Sequence, residues 1–269
     1  MKFENEYFGD PERIALAKRS ASLWMLLKED PRFAFQGRIV VLSEPSDDMV
    51  EIMVDLAKLQ GGSVCNYFPE QDAQRTMSEL EDRGLKVVEH VHLRGDQTCL
   101  ATSHAALATY ALPEDISVIA IDETTSSEFV GEVAEMSESC GVMPAPGWVM
   151  RGTGPAGIFL VAKNGLGEPV ACAGSFMCHP KGSSRATDAF WGMLATRPDR
   201  RGQRIAFLLG AKAIVHMWEV FNARAFITGV SAQNPSSMAM CKKLGLSETG
   251  WCYISCIDET LFAGASITK

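Results

Sequence analysis

Arg200, Arg201 and Arg204 crowd around Gly202 in a turn that runs on through Gln203 into Ile205 and Ala206. Behind the turn, Asp188 to Ala195 is apolar and strand-like. Ahead of it, Ile205, Leu208, Leu209, Ala211, Ile214, Val215 and Trp218 recur at helical spacing. The first N–H groups of a helix have no partner within it, and they stand at the positive end of its dipole. Such a turn is an anion site, and a diphosphate is a natural occupant. Further on, Asn234-Pro235-Ser236-Ser237 starts another helix, with Asn234 as N-cap, Pro235 in the first helical position and Gly245 closing it after Lys242 and Lys243.

The elements that must position these residues divide into two halves. Residues 1–112 are expected to form an α/β domain, with a helix near 11–27, a strand 38–43, a helix 47–59, a strand 64–68, a helix 71–83 and a strand 85–94. The stretch 101–113 reads as a connector. The second half, 113–269, is expected to hold strands 116–121, 158–163, 170–177, 188–196, 225–231 and 249–257, with helices 126–139, 203–219 and 235–244. Asn164-Gly165-Leu166-Gly167 is a hairpin signal between two of those strands. Gly152-Thr153-Gly154-Pro155-Ala156-Gly157 spells a dinucleotide-binding string, but it lies in a loop before a strand instead of opening a helix, so it is expected to be loop glycine only.

Composition narrows the function classes. The chain has 269 residues, 46% of them hydrophobic, and a formal net charge of −8, which argues against a general binder of nucleic acid or anionic membrane. The arginines near residue 200 are thus a local patch suited to a small anion. No apolar run approaches the roughly 20 residues of a membrane span and no early segment reads as a signal peptide, so the expectation is a cytoplasmic protein. The 8 cysteines are scattered, as reduced, buried thiols are. Cys172, Cys178 and His179 come nearest to a metal set but lack a second pair at ligand spacing, so no metal is expected.

Residues 115–258 resemble the GNAT superfamily of acyl-CoA-dependent N-acetyltransferases. Leu194, Thr196 and Pro198 match its Leu-x-Val-x-Pro strand, Arg201, Gly202 and Ala206 match its phosphate turn, and Asn234, Ser237 and Lys243-Leu244-Gly245-Leu246 match its second string. Two positions depart: Arg204 stands where a glycine is usual, and Cys241 where a tyrosine is. The resemblance implies a mixed, largely antiparallel sheet flanked by helices, α+β in class, whose two central strands splay apart. Acetyl-CoA would be the co-substrate, its pantetheine arm on Leu194, Ala195 and Thr196, its diphosphate on Arg201 to Ala206, with Asn234 and Ser237 beside it.

The implied reaction is direct attack of a small-molecule amine on the thioester, which requires a proton acceptor for the ammonium and support for an oxyanion. Asp188 is the expected base, with His179 and Glu168 behind it. Cys241 is the expected proton donor to the departing thiolate, with Ser237 and Tyr253 as substitutes. A longer acyl-CoA, a protein amine as acceptor, a non-catalytic acyl-CoA sensor and a homodimer all stay open. Finally, Gly84-Leu85 followed by a strand echoes Gly245-Leu246 followed by a strand. Residues 1–112 are therefore either a degenerate copy of the second half or an unrelated α/β domain.

Overall fold

A computed structural model describes residue 3 and residues 5–263. In chain order the elements are α1 (Pro11–Leu27), β1 (Phe33–Phe35), β2 (Val40–Leu42), α2 (Met49–Gln60), β3 (Gly62–Pro69), α3 (Ala73–Asp82), β4 (Lys86–Gly95), α4 (Gln97–Thr109) and β5 (Ser117–Ala120). There follow α5 (Ser127–Ser139), α6 (Gly147–Met150), β6 (Gly157–Lys163), β7 (Pro169–Met177), β8 (Asp188–Thr196), α7 (Ile205–Val220), β9 (Ala225–Val230), α8 (Pro235–Lys243) and β10 (Ser247–Ile257).

The ten strands join one sheet in the order β1-β2-β3-β10-β4-β9-β8-β7-β6-β5. Only β2/β3 and β8/β9 pair in parallel; every other neighbour is antiparallel. The mixed, largely antiparallel sheet with flanking helices is therefore as the sequence implied. Cores lie on both faces. Phe190 belongs to the core that holds residues of α2 and α5, while its neighbour Trp191 belongs to the core that holds residues of α7 and α8, as the alternation of a strand requires. Trp191 also donates its indole N–H to the carbonyl of Gly210 at 3.1 Å. A Cβ at Gly210 would stand 2.6 Å from that ring, so only glycine lets α7 lie this close to β8.

The boundary expected near residue 112 does not divide the sheet. The run β1, β2, α2, β3, α3, β4 is followed later by β7, β8, α7, β9, α8, β10 in the same order, with the parallel pair in the same place. Yet the last strand of each run sits in the other: β10 lies between β3 and β4, and β4 lies between β10 and β9. Gly84 and Gly245, at the ends of α3 and α8, both have left-handed backbone, φ +80° and +84°. The last six residues of the expected second half lie outside the described residues.

The expected connector 101–113 is a correction: most of it belongs to the helix α4. Asp96 caps that helix by accepting from the N–H of Thr98, and four alanines between residues 101 and 108 favour the helical state. It buries Cys99, Ser103 and Ala106 and packs along α7. The glycine string at 152–157 is a loop entering β6, as expected. Its glycines serve packing: a Cβ at Gly154 would meet the Trp148 ring at 2.1 Å.

Candidate functional site

The turn between β8 and α7 is built on two left-handed residues, Gly202 at φ +79° and Arg204 at φ +61°. Arg204 is the N-cap residue of α7 and makes no side-chain cap bond. Left-handed backbone costs a non-glycine residue about 1 kcal/mol. Here the guanidinium lies over the Tyr110 ring, 4.7 Å from its centroid, a contact that offsets about 0.5–1 kcal/mol. Among the described residues no backbone or side-chain acceptor takes the N–H groups of Gly202, Gln203, Arg204, Ile205, Ala206 or Phe207. These amides open the positive end of a 16-residue helix.

The arginines divide by role. Arg200 is neutralised by Asp115, with one guanidinium nitrogen 2.8 Å from both carboxylate oxygens, and Arg197 pairs with Asp199 and Glu168. Arg201, whose Nε reaches the carbonyl of Thr196 at 3.4 Å, has no carboxylate partner among the described residues, nor do Arg204 and Lys243. Those three line a groove of about 1020 Å³ together with Leu194, Thr196, Gly202, Ile205, Ala206, Asn234 and Ser237. Its opposite wall is α4, through Thr102, Ala105, Ala106, Thr109 and Tyr110. Of the expected cofactor residues, Ala195 and Gln203 do not line the groove; Ala195 is buried against Cys172 in the β7–β8 pair. Asn234 Oδ1 is committed to the cap of α8, accepting from Ser237 N at 3.1 Å and Ser236 Oγ at 2.9 Å, which leaves its amide nitrogen for a ligand.

From the groove a gap leads into the sheet. β8 and β9 pair only at Asp188↔Ala225, Ala189↔Phe226 and Phe190↔Ile227, then part. Opposite the gap β8 carries a bulge: Cys172 faces Ala195 and Gly174 faces Gly192, so Met193 and Leu194 share one partner residue on β7. Met193 sits in left-handed backbone at φ +54° with its carbonyl accepting from Cys172 Sγ at 3.4 Å. A strand edge left open in this way offers amides and carbonyls to an extended ligand. Behind the bulge lies a chamber of about 90 Å³, walled by Phe190 to Leu194 of β8, Thr228 to Val230 of β9, and Arg38, Cys241 and Tyr253.

Asp188 begins β8 with its side chain 4% exposed. Its Oδ2 accepts from the Tyr67 hydroxyl at 2.5 Å and from Arg94 Nε at 3.2 Å, and its Oδ1 accepts from Arg94 Nη2 at 3.2 Å. A carboxylate has about four acceptor positions, so one is left. Around it stand His92, 4.7 Å from Tyr67 between ring centroids, and His179, whose Nδ1 lies 3.0 Å from Ser43 Oγ. Burial pushes His92 down to about 3 and His179 down to about 4, so both are neutral imidazoles near neutral pH. His92 Nε2, His179 Nε2 and the Tyr253 hydroxyl are buried without a hydrogen-bond partner. Glu168 is elsewhere, on the exposed β6–β7 turn against Asn164 and Arg197.

Cys241 lines the chamber, but it is 2% exposed and burial pushes its thiol up to about 12. Giving a proton to a thiolate of ordinary basicity would be uphill by a factor of roughly a thousand. Burial therefore works against the acid role expected of it. Sequence reasoning missed Arg38, Tyr67, His92 and Arg94. One signal was present: His90 and His92 alternate in β4 and so share a face.

Residues 128–246 match the model of the Acetyltransferase (GNAT) family. No curated protein matches the sequence. Among solved structures, a GCN5-related N-acetyltransferase from Kribbella flavida is 14% identical with a TM-score of 0.55, over 91% of this chain and 95% of that one. A tandem GNAT protein from the clavulanic acid biosynthesis pathway is 16% identical with a TM-score of 0.51, over 81% of this chain and 69% of that one. A GNAT-family structure from Novosphingobium aromaticivorans is 20% identical with a TM-score of 0.43, and the chain spans 66% of its length. At such identities the likeness is one of fold. With the turn and the parted strands, the family-model match and the likeness to the Kribbella flavida structure show that the chain carries the acetyltransferase-like fold of the GNAT superfamily.

Proposed function

We propose that the chain is an N-acetyltransferase that moves the acetyl group of acetyl-CoA to an amine of a small molecule by direct attack on the thioester. One observation carries the reading: the six free amides of residues 202–207 open a groove that runs on between β8 and β9 to the bulge at Met193. A diphosphate at the turn, with Arg201, Arg204 and Lys243 around it, would lay the pantetheine arm along Leu194 to Thr196 and bring the thioester to the bulge. Among the described residues no helix is long and apolar enough to cross a membrane, in keeping with a small dissolved acceptor.

Asp188 lies five residues before the bulge, about 16 Å along an extended strand, so in this reading the ammonium proton reaches its remaining acceptor position through a chain of waters. Tyr67 and Arg94 hold the carboxylate in place. The Tyr253 hydroxyl, which lines the chamber without a partner, is better placed than Cys241 to meet the departing sulfur. In the same reading the run from β1 to β4 is a copy of the run from β7 to β10 that has lost its phosphate turn. The burial of Cys241 favours one alternative, a non-catalytic acyl-CoA sensor.

Two measurements test the proposal. Acetyl-CoA at about 100 times its dissociation constant should stabilise the fold by about 2.7 kcal/mol, visible as a raised melting temperature; no shift at millimolar ligand would remove the cofactor assignment. Release of free CoA thiol across a panel of amines separates enzyme from sensor, since a sensor is stabilised by acetyl-CoA but releases nothing.

A further inference from the structure

The chamber behind the bulge contains a charge without a counter-charge. Arg38 is 5% exposed and lines the chamber, and its single hydrogen bond among the described residues runs from Nη1 to the carbonyl of Met143 at 3.1 Å. Arg19 also bonds only to a carbonyl, that of Gln60, but it is half-buried, and three other arginines withdrawn from solvent have carboxylate partners. Arg151, equally buried, meets Glu6 through two nitrogens at 2.8 Å and the carbonyls of Asp122 and Thr125. Arg94 has Asp188 and Arg185 has Glu44. A buried cation is ordinarily paired.

Among the described residues no aspartate or glutamate lines the chamber; beside Arg38 its polar wall has Gln36, Thr228, Tyr253, Ser255 and His90, which burial holds below the ordinary histidine pKa. Gln36 is held by a 2.7 Å bond from its Nε2 to Asn66 Oδ1, and the Tyr253 hydroxyl has no partner. Burial pushes Arg38 down to about 10, which leaves it charged at neutral pH. A purely cationic amine entering here would meet a like charge and no carboxylate. The chamber's volume of about 90 Å³ is several times the about 10–15 Å³ that one water needs, which admits a ligand of a few heavy atoms.

We infer that the acceptor is a small amino-carboxylate, whose carboxylate pairs with Arg38 while its amine faces the bulge at Met193. The inference rests on the acetyl-transfer reading and names the substrate class for that site. The free Nε and Nη2 of Arg38 supply the fork that a carboxylate accepts in two parallel bonds, and the Ser255 hydroxyl can complete its shell. A carboxylate could also arrive on the acyl group, as in a succinyl thioester, and the test separates the two sources.

The experiment titrates the full chain, saturated with CoA, with glycine, β-alanine and 4-aminobutyrate and with glycinamide and ethylamine, by calorimetry. Thiol release is followed with the same amines, using acetyl-CoA and succinyl-CoA as donors. At least one carboxylate-bearing amine should bind, and react, about 100-fold better than the amines without a carboxylate, because a polar site left unpaired rejects an analogue that lacks the matching group. Arg38→Gln should erase that ratio and Arg38→Lys restore part of it. Equal binding of the amines without a carboxylate by the unaltered chain would overturn the inference, even if Arg38→Gln does not fold. So would a donor preference for succinyl-CoA that vanishes in Arg38→Gln. Carboxylate-selective binding without thiol release would instead remove acetyl transfer and keep the Arg38 site.

Discussion

The crossovers that follow β2 and β8 hold corresponding places in the sheet and opposite charges. After β2 the chain runs Ser43-Glu44-Pro45-Ser46-Asp47-Asp48 into α2; after β8 it runs through Arg197, Arg200, Arg201 and Arg204 into α7. The strand edges differ too. Both main-chain groups of Val40 on β2 are taken by the side chain of Gln60, at 3.1 and 2.7 Å, whereas β8 beyond Phe190 faces a gap. The first strand has its edge closed at Val40 by Gln60, and the crossover after it carries carboxylates that would repel a diphosphate. The other leaves amides and an edge unsatisfied, which is how a fold keeps a place for a ligand.

Giving the second crossover the sign of the first should break the contrast most strongly. Arg201→Glu with Arg204→Glu is expected to weaken acetyl-CoA binding at least about 100-fold, as two phosphate contacts become repulsions. Calorimetric titration reads this directly, and an affinity within a few-fold of the original would move the diphosphate elsewhere. Next in size, Asp188→Asn should lower thiol release about 100-fold while the acetyl-CoA dissociation constant stays within threefold. Unchanged turnover would dismiss Asp188 as proton acceptor. The variant also leaves Arg94 without its counter-charge, so kinetics should be run well below a reduced melting temperature.

Smaller effects sharpen the comparison. Arg204→Gly removes about 1 kcal/mol of backbone strain and a ring contact of similar size, so the melting temperature of the free protein should move by less than about 3 °C. Acetyl-CoA affinity should fall by less than about tenfold, since the amides remain. A large loss of stability would show that Arg204 serves Tyr110 rather than phosphate. The smallest expected effect is none: Asp47→Asn with Asp48→Asn should still bind one acetyl-CoA per chain, because Gln60 keeps the β2 edge closed. A stoichiometry of two would mean that charge alone distinguishes the crossovers.

What was legible in the sequence was local. The phosphate turn, the cap at Asn234 and the strands of the second half are written in short-range spacing, and the echo at Gly84 and Gly245 hinted at the repeated order. α4 was missed because its alanines and threonines show no apolar stripe, so the groove's far wall was read as a connector. The arginines near residue 200 read as one anion patch, yet Arg200 and Arg197 are engaged by carboxylates, Asp115 and Glu168 among them, that come from distant segments. Arg38 gained its meaning only where β2, β8, β9 and β10 converge, since the absence of a counter-charge is a property of a cavity and not of a neighbourhood in sequence. Cys241 shows the converse: its position seven residues after Asn234 suggested chemistry, and burial against Leu246 and Cys99 decides its acidity.

The exchange of β4 and β10 bears on how the protein is made. β4 ends at Gly95 and β10 begins at Ser247. A ribosome adding about 5–20 residues per second covers that interval in on the order of 10–30 s. Throughout it β3 and β4 have no β10 to separate and join them, so two strand edges stand bare beside a growing chain. Arrival of β10 is thus the late event that couples both halves in one sheet, and the nascent chain is the stage at which shielding by a chaperone would matter most.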